Sequence, residues 1–203
     1  NFKNKKKIIS FVGKLNSSKG YDIFGEAIIK ILDKYPDWES IVIGDEPREK
    51  FTFYHKNLKL LGYKNNNYIL NKLKSVSVAV VPSKWDEPFG RSSLEAASRG
   101  CALIISNTGG LSETTNHAVV LKKITVNNIF KKIEELIKNE KYRKKIQKDV
   151  YKNFKLTNEN SAKLIDITRE SIIDKNVNFK KFNFNNIKIL HITNFNERFD
   201  GRL

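Results

Sequence analysis

Two carboxylates, Glu87 and Glu95, stand eight residues apart where they could hold hydroxyl groups. The apolar run Val76–Val81 before them predicts a buried parallel strand, and the Ala-rich stretch that ends at Gly100 predicts a helix. Glu87 therefore falls on a strand-to-helix loop, and Glu95 lies about one turn inside the helix. Each ionised carboxylate can accept hydrogen bonds from sugar hydroxyls.

The start of that helix, between the two carboxylates, could receive a phosphate. The backbone N–H groups of Arg91, Ser92 and Ser93 would have no partner within the helix. Gly90 would let the loop approach a ligand closely. One loop thus offers two hydroxyl acceptors and a phosphate nest, a combination that matches the polarity of a nucleotide-sugar.

The wider segment resembles a known family. The string Glu87-Pro-Phe-Gly-Arg-Ser-Ser-Leu-Glu95, the strand 102–106 and the motif Gly109-Gly110-Leu-Ser-Glu113 resemble the E-x7-E region of retaining GT-B glycosyltransferases of family 4 type. The resemblance covers about residues 5–173. It implies that Glu87 contacts the transferred sugar and Glu95 the ribose. The alternative for Glu95 is a first-turn glutamate favoured by the helix dipole.

Loop 13–20 is the second part of the resemblance. The family has Gly-Arg-Leu-x-x-x-Lys-Gly here, with Arg and Lys on the donor diphosphate, and this chain matches except for Lys14 in place of Arg. Lysine keeps the charge but loses the bidentate fork, so we expect phosphate binding with looser geometry. The resemblance implies electrostatic catalysis, in which Lys14, Lys19 and the helix-start amides stabilise the leaving diphosphate.

Two further positions follow from the resemblance. Phe89 is expected to pack under the loop while its backbone faces the donor, and Leu61-Gly62-Tyr63 resembles the strand end that borders the nucleobase. The candidate catalytic residues are Glu87, Lys14 and Lys19. The candidate donor-binding residues are Gly13, Lys14, Lys19, Gly62, Glu87, Phe89, Gly90, Arg91, Ser92 and Glu95.

Strands and helices alternate along the chain, with glycines at strand ends, which predicts an α/β fold with a doubly wound parallel sheet. The predicted strands are 8–12, 40–43, 58–61, 76–81, 102–106 and 118–121. Besides the Ala-rich helix that ends at Gly100, the predicted helices are 21–32, 67–74, one starting near Thr125, 129–138, 140–154 and 157 to about 173. We expect one Rossmann-like domain over 1–173, a linker over 174–186 and a further module beginning over 187–203.

Composition further limits the class of protein and the ligands that the chain could bind. The 203 residues carry a net charge of +16 and include no Met. Because Met is absent, we expect this chain to be a piece of a longer cytoplasmic protein. We expect the piece to lack the amino-terminal acceptor domain and therefore to be inactive alone. The charge would attract phosphorylated ligands or an anionic membrane, whereas nucleic acid is disfavoured because the lysine excess is spread along the chain. The single cysteine, Cys101, is expected to be a buried structural residue, and the three scattered histidines predict neither a metal site nor a cofactor.

Seven lysines lie mostly off the apolar face of the predicted helices over 129–154. They are Lys131, Lys132, Lys138, Lys141, Lys144, Lys145 and Lys148. Such a surface could lie on an anionic membrane, although an ordinary solvated helix face is the more frequent case.

The sequence therefore favours a donor-binding domain that serves the transfer of a hexose-type sugar from a nucleoside-diphosphate sugar to a polysaccharide or lipid-linked acceptor. The alternative is a non-catalytic module on the same fold that binds sugar-nucleotides or polyanions. An epimerase or phosphorylase is less favoured, because no lysine stands in a matching cofactor context.

Overall fold

The structure, a computed structural model, describes residues 4–175. The chain divides into two compact units at Asn158, and the described part of the second unit is a single helix. The predicted linker over 174–186 lies almost wholly outside the described residues, as do the module over 187–203 and His191.

The first unit is a six-stranded parallel sheet with helices on its faces, which confirms the predicted fold class. Its strands are β1 (Lys6–Val12), β2 (Glu39–Ile43), β3 (Leu58–Leu60), β4 (Val76–Val81), β5 (Ala102–Ser106) and β6 (Val119–Leu121). Its helices are α1 (Tyr21–Lys34), α2 (Asn66–Leu73), α3 (Arg91–Ser98), α4 (Val126–Lys138) and α5 (Glu140–Lys152), with a 3₁₀ helix at Gly109–Thr114, and α6 (Asn158–Lys175) follows.

The strand order is β3-β2-β1-β4-β5-β6, so the winding direction reverses between β1 and β4. These two strands pair in parallel, with Ile9 beside Val78 and Ser10 beside Ala79. A crevice opens at the carboxyl ends of strands at such a switch point, and ligands bind there. The loops after β1 and β4 carry the two predicted motifs, so the topology alone brings these motifs together.

Several element boundaries differ from the sequence-based prediction. Helix α4 begins at Val126, next to the helix start predicted near Thr125, and it includes the segment predicted as a separate helix over 129–138. The Thr125 hydroxyl accepts a hydrogen bond from Asn128 N at 3.3 Å and caps the helix. The segment after β5 forms a 3₁₀ helix that ends at Thr114. The strand predicted to reach residue 61 ends at Leu60.

Lys5, which sequence analysis left without a role, joins the ends of two helices. Its ammonium group donates to Leu73 O at 2.9 Å and to Arg99 O at 2.7 Å, which are carbonyls at the carboxyl ends of α2 and α3. A cation at this point satisfies orphan carbonyls and complements both helix dipoles. Burial lowers the pKa of Lys5. Cys101 is buried beside it, as predicted.

Candidate active site

Loop 13–20 after β1 is held in a defined shape by Asn16. The side-chain oxygen of this buried residue accepts hydrogen bonds from Ser18 Oγ at 2.9 Å and from Lys19 N at 3.0 Å. At the end of the loop, Gly20 has a φ of 72°, and a Cβ there would lie 2.2 Å from Pro82 O. The loop therefore lies against the end of β4, and this position places Lys19 at the crevice.

Two glutamates hold loop 13–20 in place by accepting hydrogen bonds from it. Glu46 is buried, accepts from Asn16 Nδ2 at 3.4 Å and receives two hydrogen bonds from the guanidinium of Arg48. These bonds from Arg48 lower the pKa of Glu46 to about 2, so the carboxylate stays ionised. Glu49 Oε2 accepts from Ser17 N at 2.9 Å. Sequence analysis missed this support, because Glu46 and Glu49 follow β2 rather than β1.

The loop that carries Glu87 is fixed by the segment after β5. Ser83 O accepts from Ser106 Oγ at 2.6 Å and from Thr108 Oγ1 at 3.1 Å, and Glu87 O accepts from Gly110 N at 2.6 Å. The loop is therefore anchored at its start, through Ser83, and in its middle, through Glu87.

The Glu87 loop also interlocks with loop 13–20. Ser18 O accepts hydrogen bonds from Lys84 N at 2.8 Å and from Trp85 N at 3.1 Å. The Lys84 ammonium pairs with Asp22 at 2.6 Å, at the start of α1. The two predicted motifs thus form one connected structure, and a shift of either loop would displace the other.

The glycines around this loop are required by close backbone packing. Gly109 has a φ of 50°, and a Cβ there would lie 2.3 Å from Glu87 O. Gly90 has a φ of 80°, and its Cβ would lie 2.5 Å from Leu111 Cδ2. The sequence predicted that the lack of a side chain at Gly90 lets a ligand approach the loop. In the structure, Leu111 occupies the space that a side chain at Gly90 would need.

Lys19 and Glu87 form an ion pair across the crevice, with Nζ 2.5 Å from Oε1. The side chains are 28% and 14% exposed, so the pair is largely shielded from water. Lys14 is exposed and makes no ion pair with any residue in the described part of the chain. The site therefore holds one neutralised lysine and one available lysine.

The start of α3 borders the same crevice without a side-chain cap. Its N-cap residue is Gly90, which makes no side-chain hydrogen bond to the first-turn N–H groups. The Ser93 hydroxyl instead lies 2.6 Å from Thr114 Oγ1 in the interior. The first-turn amides are thus left to solvent or to a ligand.

Glu95 lies one turn further along α3 and is 88% covered, since its side chain is 12% exposed. Its charged neighbour is Arg91, at 3.7 Å, a loose contact from a side chain that is itself exposed. Burial raises the pKa of the Glu95 carboxyl. A largely covered carboxylate with one weak ion-pair partner in a crevice is a candidate for binding ligand hydroxyls.

A cavity of about 550 Å³ joins these parts at the switch point between β1 and β4. It is lined by Phe11, Val12, Gly13, Lys14, Lys19, Ile69, Val81, Ser83, Glu87, Pro88, Phe89, Gly90, Arg91, Ser92 and Glu95. Nine of the ten predicted donor-binding residues therefore share one cavity. Ile69 of α2 and Ser83 were missed, because neither belongs to a motif.

Two predicted positions differ from expectation. Phe89 does not pack beneath the loop, since its side chain is 39% exposed and lines the cavity. Gly62 lines a neighbouring cavity of about 460 Å³ with Leu15 and Gly44, at the ends of β2 and β3. Gly62 O accepts a hydrogen bond from Gly44 N at 3.0 Å, which holds Gly62 beside the end of β2.

Within residues 4–175, no three His, Cys, Asp or Glu side chains come close enough together to hold a metal ion. Across the same residues, none of the helices combines the length and the apolar character needed to cross a bilayer.

Comparison with known proteins agrees with this geometry. A family model described as glycosyl transferases group 1 matches residues 1–153. An uncharacterized glycosyltransferase of Methanocaldococcus jannaschii is 33% identical over 120 residues, which cover 56% of this chain and 30% of the relative. The chain spans about a third of the length of the curated relatives it matches.

Solved structures show the same fold. The carboxy-terminal domain of a group 1 glycosyl transferase (LpcC) from Francisella tularensis is 26% identical, with a TM-score of 0.63 over 74% of this chain and 85% of that domain. HepE of Anabaena, solved with UDP-glucose, is 16% identical, with a TM-score of 0.64 over 85% of this chain and 48% of its own. The chain therefore belongs to the glycosyl transferases group 1 family, and its sheet is a Rossmann-like half of the GT-B type.

Proposed function

We propose that this chain is the donor-binding domain of a retaining glycosyltransferase of family 4 type. Its cavity would hold a nucleoside-diphosphate sugar, and the whole protein would transfer the sugar to a polysaccharide or lipid-linked acceptor. The observation that carries the proposal is the convergence of Lys14, Lys19 and the uncapped start of α3 on a cavity that also contains Glu87 and Glu95.

The diphosphate would lie at the basic end of the cavity. Lys14 offers an ammonium group that has no ion-pair partner among residues 4–175, and Lys19 offers one that is paired with Glu87. The Arg91 and Ser92 amides form a helix-start nest beside them. Charge-assisted hydrogen bonds of this kind are about twice as strong as neutral ones. Glu46 and Glu49 keep loop 13–20 in place without entering the cavity lining.

The sugar and ribose hydroxyls would lie at the two carboxylates. Glu87 Oε1 is occupied by Lys19, so its second oxygen remains to accept from a hydroxyl. The Glu95 carboxylate has one ion pair among residues 4–175, the loose contact with Arg91 at 3.7 Å, and can accept from two ribose hydroxyls. UDP-glucose in the HepE structure shows that a protein of this fold can hold such a ligand.

Catalysis would be electrostatic. As the bond between the anomeric carbon and the diphosphate oxygen breaks, the electron pair leaves with the diphosphate, and negative charge grows beside Lys14 and Lys19. Preorganised cations and amides stabilise that charge without rearranging. The departing diphosphate takes the proton of the acceptor hydroxyl as the new glycosidic bond forms on the same face of the sugar.

A non-catalytic sugar-nucleotide-binding module is the second candidate, and two observations favour it. Lys14 stands where the family pattern has arginine, and Lys19 is already neutralised by Glu87. Both features would weaken charge stabilisation in a transition state more than they would weaken ground-state binding.

Calorimetric titration with UDP-, GDP- and ADP-sugars tests the donor role. We expect saturable binding of one nucleotide class, and absence of binding for all three would overturn the proposal. Turnover by the whole protein separates the two candidates, because the binding module would show affinity without product. The anomeric configuration of the product, read by NMR, tests retention.

A further inference from the structure

One face of α5 carries four lysines in a single row, which we call the α5 lysine stripe: Lys141, Lys145, Lys148 and Lys152. Their spacing of four, three and four residues places them within an arc of about 60° on a helix. The opposite face is packed into the domain through Arg143, Ile146, Gln147 and Val150. All four stripe residues are exposed.

The lysines of the stripe lack ion-pair partners among the residues that the structure describes. In the described part of the chain, no carboxylate forms an ion pair with any of its four lysines, whereas the neighbouring Lys144 pairs with Glu140 at 2.7 Å. The two acidic residues of α5, Glu140 and Asp149, lie about 70–110° around the helix from the centre of the stripe. Four like charges thus share one ridge, and their mutual repulsion favours an anionic partner.

Helix α5 is held firmly enough to present this ridge as a fixed surface. The Arg143 guanidinium is buried, donates to Leu136 O at 2.6 Å and lies 5.0 Å from the centre of the Trp38 ring. Gln147 Nε2 donates to Ser77 O at 2.9 Å. These contacts fix the rotation of α5, so the stripe must face outward.

The chemistry of the stripe favours a lipid surface over a nucleic acid. It consists of lysine alone, a strongly hydrated point charge, and lacks the arginine forks and aromatic rings that grip phosphates and bases. It runs straight for about 16 Å along a convex ridge, which a flat surface can touch along its whole length. It contains no apolar residue that could insert between acyl chains.

We propose that the α5 lysine stripe docks the domain on an anionic bilayer by electrostatic attraction alone. This role is separate from the donor cavity, because no residue of α5 lines that cavity. A lysine near an anionic membrane strengthens binding by about fivefold, so the four together could contribute about 100-fold even when they approach unequally. The attraction should fall steeply with added salt.

The test is co-sedimentation of the chain with vesicles of phosphatidylcholine that contain phosphatidylglycerol. A variant with all four stripe lysines changed to Gln loses four charges while keeping helix propensity. We expect its binding to fall about 100-fold and the binding of the unchanged chain to vanish in high salt.

The matched control changes four lysines around β3 to Gln: Lys50, Lys56, Lys59 and Lys64. It has the same net charge as the stripe variant, and we expect it to bind vesicles nearly as well as the unchanged chain. Equal losses in the two variants would show that net charge alone acts and would overturn the proposal. Equal binding to pure phosphatidylcholine would overturn it too, as would displacement from vesicles by a short DNA duplex that binds the stripe more tightly.

Discussion

Lys19 Nζ lies 2.5 Å from Glu87 Oε1, across the crevice between two loops whose residues are 68 positions apart in the chain. The pair joins the side chain proposed for the diphosphate to the side chain proposed for the sugar. A donor that binds here must therefore share Lys19 with Glu87 or take Lys19 from it. Because of this competition, substitutions of Lys19 and of Glu87 should change ligand binding in different ways.

We expect Lys19→Ala to weaken binding of a nucleoside diphosphate by about 10–150-fold, the loss for a hydrogen bond to a charged group. The substitution also leaves the Glu87 carboxylate unpaired beside the phosphates. Lys84→Ala is the matched control, because Lys84 joins the Glu87 loop to Asp22 at the start of α1 but does not line the cavity. Calorimetric titration should separate the two variants, and similar affinities would remove Lys19 from the phosphate site.

Glu87→Gln should act differently from a change in Lys19. The amide keeps the size of the side chain but removes the charge that competes for Lys19, so inorganic pyrophosphate should bind about 3–10-fold more tightly. Turnover by the whole protein should fall, because the amide is a weaker acceptor for hydroxyls as the anomeric carbon becomes cationic. Weaker pyrophosphate binding would mean that Glu87 orients Lys19 for the phosphate instead of competing with it.

Glu95→Gln should weaken UDP binding by about 10-fold while leaving pyrophosphate binding unchanged, because only the nucleotide has ribose hydroxyls. The same variant should melt at a higher temperature at neutral pH. Burial raises the pKa of Glu95, so the folded state disfavours the ionised form. The cost in stability is absent below the pKa of the unfolded chain and is complete above the raised pKa of the folded state.

On acidification that cost disappears, and the melting temperatures of the two proteins should converge. Scanning calorimetry at neutral and acidic pH measures the difference. Equal affinity losses for UDP and pyrophosphate, or a lower melting temperature at neutral pH, would show that Glu95 supports the fold rather than a ligand.

Gly109→Ala should displace the Glu87 loop. The new Cβ would lie 2.3 Å from Glu87 O, and the left-handed backbone adds about 1–2 kcal/mol of strain. Gly62→Ala is the matched control, since Gly62 also has a positive φ, 66°, but a Cβ there meets nothing within 4 Å. Both variants should be destabilised, and affinity for inorganic pyrophosphate, which has no base to reach Gly62, should fall only in Gly109→Ala. Unchanged affinity there would show that the loop adapts.

The sheet could be predicted from the sequence because its strands are short apolar runs between glycines. The segments at Val76–Val81 and Ala102–Ser106 are buried at every position, and both were predicted with the correct bounds. The site motifs could be placed for the same reason, since each follows a strand and the carboxyl ends of parallel strands share one edge.

The features that the sequence did not predict depend on contacts between residues that are far apart in the chain. Lys5 looks like one lysine in a basic run, and its role requires the ends of α2 and α3 to meet, which no local pattern encodes. The support of Asn16 by Glu46 crosses from one strand end to the next. The resemblance placed Phe89 under the loop, but in the structure Phe89 lines the cavity and is partly exposed.

The central claim, that the diphosphate of a nucleotide binds at the start of α3 beside loop 13–20, is tested most directly by amide chemical shifts. We expect titration of the ¹⁵N-labelled chain with the preferred nucleoside diphosphate to move the Arg91, Ser92 and Lys19 amides most, while amides of α5 stay in place. Inorganic pyrophosphate should move the same three signals. Saturable binding that leaves these signals unmoved and shifts amides elsewhere would contradict the account.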